Sequence, residues 1–348
     1  MENKKRLQYI DCLRGFSMIF VIYQHILTYS MPDLPASWFS DLVRSFRMPL
    51  FFFISGFVSY KFAFEWNISN FGKLQMKKLR GQLFPTIVMF VIFVALHDKS
   101  YKMWMFSVTK AGYWFTLVSF EIFLTYCIIN LLMRRWQMKT IVPIVFILTA
   151  IGISCVWHRL GKFDDNKLSL FLSLEYYTQY FLYFIAGILV KCHLDTFHKL
   201  LENKWITTVM FVGAFVLPYI FPSFFKTVKE LMILPRLWCI YAIFYNARQF
   251  FDEQNIVSKS LSLIGRNTLE IYFLHYFLLF RMSHCESLLK LCSGKLNWFM
   301  TSSEWMLEIL IVGGVSVFLC FVCIGIKRIV DTFPIVSELC FGPKKNAK

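Results

Sequence analysis

An aspartate, an arginine and a histidine stand inside one apolar run: Asp11, Arg14 and His25 of YIDCLRGFSMIFVIYQHI, residues 9–26. Their types suit proton transfer and anion binding, because an imidazole titrates at about pH 6.5 and a guanidinium holds oxyanions. No P-loop, GxGxxG, GxSxG or HExxH pattern occurs in the chain. Nucleotide hydrolysis, dinucleotide redox, the usual esterase elbow and zinc proteolysis therefore lack motif support, which leaves histidine and carboxylate chemistry.

A helix turns 100° per residue, so Arg14 and His25 fall about 20° from eclipsed and Asp11 about 40° from His25. All three share one stripe, while Ile10, Leu13, Phe16, Ile19, Phe20 and Val21 occupy the other faces. A charge at mid-membrane costs at least ~2.5–3.5 kcal/mol, so such a stripe is expected to face a bundle interior or a wet cavity. The bland alternative is an Asp11–Arg14 ion pair at one end and a snorkelling His25 at the other. The shared stripe favours the cavity. Arg14 and His25 stand ~16 Å apart by helical rise, about half a membrane, so the occupant is long or has two ends on opposite sides. Asp11 is ~21 Å from His25 by the same rise, too far to orient it.

Further polar residues stand in apolar surroundings. In SFRMPLFFFISGF, Arg47 is expected at the outer interface, Pro49 in a first helical turn, and Ser55–Gly56 where another helix comes close. A basic linker carries Lys73, Lys77, Lys78 and Arg80 before GQLFP. Lys77 and Arg80, three apart, suit a phosphate clamp, or equally a loop touching anionic lipid. Glu121 is a membrane carboxylate without an obvious local partner, and thus a candidate for the carboxylate beside His25; Glu175 is a shallower one. Arg266 and Glu270 are spaced as an intrahelical pair, and His275 points about 140° away from Glu270, toward a different partner. Glu304 and Glu308 share a face at an outer helix end, where hydration is the simpler account.

The elements that must hold these residues are membrane helices. With 57% apolar residues and 40 Phe in 348, the chain has more apolar surface than a globular core of this size buries. Runs of about 20 apolar residues predict an all-α, polytopic transmembrane bundle of ten spans in a single domain, 1–348. The spans fall near 9–28, 46–64, 83–97, 113–133, 140–157, 175–191, 205–221, 229–247, 260–280 and 304–326. The third is the shortest and is expected to start earlier or to tilt. One set of loops collects 21 of the 37 Lys/Arg and the opposite set 13, which puts both termini in the cytoplasm. This topology also explains most of the +16 net charge, and no nucleic-acid partner is expected. Most of the ten Cys lie in apolar spans as small hydrophobes, and no metal site is expected.

Four stretches together resemble the membrane-bound acyltransferase 3 family: IDCLRGFSMIFVIYQH, FRMPLFFFISGF, KKLRGQLFP and IGRNTLEIYFLH. The combination is specific where each piece alone is weak. The resemblance implies a ten-helix core that takes an acyl group, by family habit acetyl, from cytoplasmic acyl-CoA to a hydroxyl of a surface carbohydrate or related acceptor. Acyl-CoA is then a substrate, with no bound cofactor, and the protein sits in the bilayer of a bacterial inner membrane. By position His25 matches the family's first-span histidine, a general base or a transient acyl carrier. Arg14 matches its first-span arginine, and Lys77 with Arg80 its basic pair, for acyl-CoA; Asp11, Arg47, Glu270 and His275 are expected to orient or support. Lys77 departs from the family's more frequent arginine, which weakens two-pronged phosphate recognition there. The competing class is a secondary transporter or flippase using the stripe as an anion or proton path, but neither related halves nor paired broken helices occur. Oligomeric state is not legible.

Overall fold

A span in hydrocarbon must satisfy its own backbone, and the long apolar runs do so as helices. The computed structural model describes residues 7–34, 37–61, 64–97, 99–133, 167–215, 233–251, 255–287 and 306–343, with positions 145, 148, 149, 152 and 220. Every regular element among them is helical. In chain order these include α1 (Gln8–His25), α2 (Trp38–Ser59), α3 (Ile68–Lys78), α4 (Phe84–Leu96), α5 (Lys102–Phe106), α6 (Trp114–Leu132), α7 (Lys167–Phe171) and α8 (Leu174–Cys192). There follow α9 (Leu194–Glu202), α10 (Lys204–Phe215), α11 (Ile233–Phe250), α12 (Ile256–Arg266), α13 (Thr268–Leu274), α14 (Gly314–Val330) and α15 (Pro334–Phe341).

Five stretches are long and apolar enough to cross a membrane: Gln8–Ser30, Trp38–Ser59, Ile68–Leu96, Trp114–Leu132 and Met306–Val330. Counting α8 with α9 as one bent span makes six. The expected span 140–157 lies almost wholly outside the described residues, as do parts of 205–221 and 229–247.

Two expected spans need correction, and the third, expected to start earlier, does so. The second span begins at Trp38, so Pro49 sits inside the helix and not in its first turn; the polar residues ahead of it, Asp41, Arg44 and Ser45, are carried on the same helix. The third span begins at Ile68, where the Asn67 side chain accepts the Asn70 N–H at 2.8 Å, and the basic linker is itself helical, joined to α4 through a π-helical turn, Leu79–Leu83. The ninth is interrupted: α12 ends at Arg266, Asn267 leaves the helical region (φ −109°, ψ 21°), α13 resumes at Thr268 and a 3₁₀ turn follows over His275–Leu278.

The chain divides into two compact units, one of Met1–Phe51 with Asp195–Ile326 and one of Phe52–Leu194 with Lys327–Lys348. In the first, α1 lies directly on α12. Small residues permit this: a Cβ on Gly15 would overlap the Leu261 carbonyl, and one on Gly265 would overlap the Asp11 carbonyl. Cys12 Sγ donates to the Ser258 carbonyl at 3.2 Å. Buried Asp11 pairs with half-exposed Arg266, Nε to Oδ2, at 3.4 Å. Gly15 meets Gly265 and His25 meets His275, the same offset twice, so α1 and the α12–α13 segment run parallel in one register. Parallel packing requires an odd number of crossings between them, a constraint on parity and not on number.

The second unit uses the same device. Gly56 sits on the Phe184 carbonyl and Gly187 on the Phe53 carbonyl, while Phe52 stacks on Tyr180 with centroids 4.7 Å apart. Thr86 and Thr116 join α4 to α6 at 2.9 Å, and Gln82 donates to the Thr116 carbonyl at 3.1 Å.

The glycine contact predicts a sharp contrast between two sites. Gly265→Leu has only backbone to push against and should destabilise the protein by about 3 kcal/mol, the upper end for overpacking. Gly72→Ala in α3 meets nothing within 4 Å and should be neutral or gain about 0.5–1 kcal/mol. Thermal unfolding of the detergent-purified variants measures both; a Gly265→Leu protein as stable as the parent would contradict the packing.

Candidate active site

The register that brings Gly15 to Gly265 also brings together two imidazoles. Ten residues further along each chain, His25 Nδ1 lies 3.4 Å from His275 Nε2, with ring centroids 5.1 Å apart. His275 is fully buried, and its Nδ1 stands 3.1 Å from the Ile271 carbonyl oxygen. A carbonyl only accepts, so Nδ1 carries the hydrogen, and in the neutral ring Nε2 keeps a lone pair. His25 then donates Nδ1–H into that lone pair. The consequence falls on the far nitrogen: His25 Nε2 is left as a base, in a tautomer assigned from the bonding pattern.

Aromatic rings and a guanidinium surround the pair. His25 packs against Tyr276 and Tyr29 with centroids 5.0 and 5.7 Å away. Arg47, expected to orient, donates Nη1 to the Val21 carbonyl at 3.5 Å, one turn before His25, and is the charged neighbour of both imidazoles. The arrangement can take a proton at His25 and face negative charge with Arg47.

The backbone is irregular at three candidate positions. A π-helical turn, Ile26–Ser30, starts immediately after His25; a second, Leu79–Leu83, contains Arg80; a third, Ile309–Gly313, starts immediately after Glu308. Such turns insert one residue into a helix and occur often at functional sites. Here they mark candidate residues without any ligand in view.

Glu308 was expected to be hydrated, and the structure corrects this. The start of the last span packs on α1, which buries the carboxylate; its Oε1 accepts from Tyr23 OH and, at 2.8 Å, from Ser37 Oγ. Ser37 Oγ in turn accepts the Ser40 N–H at 3.0 Å and helps start α2. Tyr23 and Ser37 escaped the sequence reading, and Glu308 was read as hydrated. The available signal was a carboxylate entering the apolar run EILIV, the criterion that had singled out Glu121.

The other candidates are placed as follows. Arg14 is half-buried on α1, three residues from Asp11, whose ion pair runs to Arg266; Glu270 lies in the first turn of α13. In the second unit, Lys77 and Arg80 are exposed, while Lys78 turns inward to Gln82 Oε1 at 3.2 Å and to the Phe123 ring at 4.8 Å. Glu121 is also in this unit. Its carboxylate oxygens are buried without a hydrogen-bond partner among the described residues, and Lys110 is its charged neighbour. Lys110 Nζ donates to the carbonyls of Trp104 at 2.7 Å and Leu170 at 3.0 Å.

Comparison with known proteins adds the family. Residues 7–325 match the acyltransferase domain of the acyltransferase 3 family. Glucans biosynthesis protein C from Escherichia coli O1:K1 / APEC and from strain SMS-3-5 / SECEC are each 22% identical over 258 residues, 68% of this chain and 63% of theirs. The chain thus spans under two thirds of the length of these curated relatives. No solved structure matches. Since the family match runs almost end to end over helices long enough to cross a membrane, the chain belongs to the acyltransferase 3 family and is a multi-pass membrane protein.

Proposed function

We propose that the protein transfers an acetyl group from acyl-CoA to a hydroxyl of a carbohydrate acceptor, with His25 as general base. The observation that carries this reading is the histidine pair, which leaves a lone pair on His25 Nε2. In the reaction His25 Nε2 takes the hydroxyl proton as the oxygen attacks the thioester carbonyl. Arg47 faces the oxyanion that develops there. The tetrahedral intermediate then collapses, the C–S bond breaks, and the thiolate recovers the proton from the imidazolium. Ester and free CoA are the products, and both atoms and charge balance.

Lys77 and Arg80 are assigned to the phosphates of the donor, since both are exposed and three residues apart. Arg14 is assigned to the donor as well, and Asp11 and Glu270 to structural support. Glu121 is the reserve candidate for a catalytic carboxylate. The matched relatives are named for glucan biosynthesis, which supports a carbohydrate acceptor. Charge asymmetry supports cytoplasmic termini in the bacterial inner membrane, with acyl-CoA reaching the protein from that side.

The direct test supplies radiolabelled acetyl-CoA to the cytoplasmic face of vesicles that hold native acceptors, and follows label into an alkali-labile product. The parent should form labelled ester, and His25→Ala, folded and inserted, should lose it by about 10²–10⁴-fold. Full transfer by His25→Ala would remove His25 from the chemistry; no label and no acyl-CoA binding in the parent would reject the reading in favour of transport. A second comparison isolates the role of His275. His275→Leu, which cannot accept from His25 Nδ1, should lower kcat about tenfold or more at unchanged KM. His275→Gln, which can still accept, should retain more of it; equal losses in the two would make His275 mere packing.

A further inference from the structure

The chain after α14 reads DTFPIVSELCFGP, with Pro334 opening α15 and Gly342 closing it. Asp331 suspends the helix: one carboxylate oxygen meets Lys327 Nζ at 2.6 Å and the other accepts from Ser337 Oγ at 2.6 Å. One face of α15 buries Ser337 and Phe341 while the other exposes Ile335, Val336 and Leu339. That division suits a helix lying in the membrane interface. Its inner face packs on α4.

The end of α15 comes to rest on the turn that carries Arg80. Gly342 has φ +82°, a region that side chains disfavour, and a Cβ there would stand 3.0 Å from both the Arg80 carbonyl oxygen and the Gly81 Cα. Both neighbours are backbone and cannot swing aside. The turn beneath is the π-helical one, closed by the Phe84 N–H on the Leu79 carbonyl. A π turn holds one residue more than an α turn, so its relaxation would rotate everything before it by about 100° relative to α4. Lys77 and Arg80 would then face elsewhere.

We infer that α15 belongs to the donor-binding apparatus: by seating Gly342 on the Arg80–Gly81 backbone it holds the π turn, and with it the direction in which Arg80 presents its guanidinium to the phosphates of acyl-CoA. Gly342 is on this account a positioning residue, and the inference rests on the assignment of Arg80 to the donor.

The test measures KM for acetyl-CoA and kcat in Arg80→Ala, Gly342→Val and the double variant. Each single change should raise KM about five- to tenfold and leave kcat within about twofold, and the double should be no worse than Arg80→Ala alone. An unchanged KM in Arg80→Ala would reject the donor assignment itself. A raised KM in Arg80→Ala with a normal one in Gly342→Val, or additive effects in the double, would overturn the role of α15. Ser337→Ala removes one strut without adding bulk and should shift KM the same way, about twofold; it decides the question if Gly342→Val does not fold, and an unchanged KM there counts against the inference.

Discussion

Everything at the candidate site depends on how closely α1 and α12 approach. Their backbones touch at Gly15 and Gly265, with the Leu261 and Asp11 carbonyls where side chains would otherwise be. In lipid, helices gain little from apolar contact, so close backbone packing and a few polar links must hold them. The contact fixes the rotation of each helix and their relative height, which α1 carries to His25 and α13, after the break at Asn267, to His275. The Asp11–Arg266 pair sits beside the same contact. It places a buried carboxylate against a cation at the end of the pair remote from the imidazoles, so that the register is secured by charge as well as by shape.

The chemistry follows from hydrogen bonding more than from ionic charge. The Ile271 carbonyl determines which nitrogen of His275 carries a proton, His275 determines it for His25, and the reactive lone pair is the end of that chain. The Ile271 carbonyl accepts the His275 backbone N–H as well, at the point where α13 passes into a 3₁₀ turn. The π turn after His25 has the same character on the facing chain. Local irregularity is thus concentrated where the two imidazoles meet. Glu308, held by Tyr23 and Ser37, ties the last span to this end of α1.

The helical class and the polar stripe were legible because both are local: an apolar run of about 20 residues with three polar groups at helical spacing needs no tertiary information. His25 could therefore be singled out, and His275 could be seen to point away from Glu270. Their meeting could not be seen, because it depends on a register between segments 250 positions apart. Pro49 misled for a related reason: proline suits a first turn on propensity, yet here the helix has already begun at Trp38. Glu308 looked solvated because nothing near it in sequence shows that α1 will cover it. The earlier start of the third span was legible from its shortness, but its extent back to Ile68 was hidden by basic residues, which lower apparent hydropathy while remaining good helix formers.

The central claim is the proton arrangement in the histidine pair, and ¹⁵N solid-state NMR of histidine-labelled protein in bilayers reads it directly, with His275→Gln used for assignment. The account predicts that His25 carries its hydrogen on Nδ1 and that His275 does also, which leaves Nε2 of His25 unprotonated and available. A His25 found with its hydrogen on Nε2 would contradict it, since the nitrogen proposed to take the acceptor proton would already hold one.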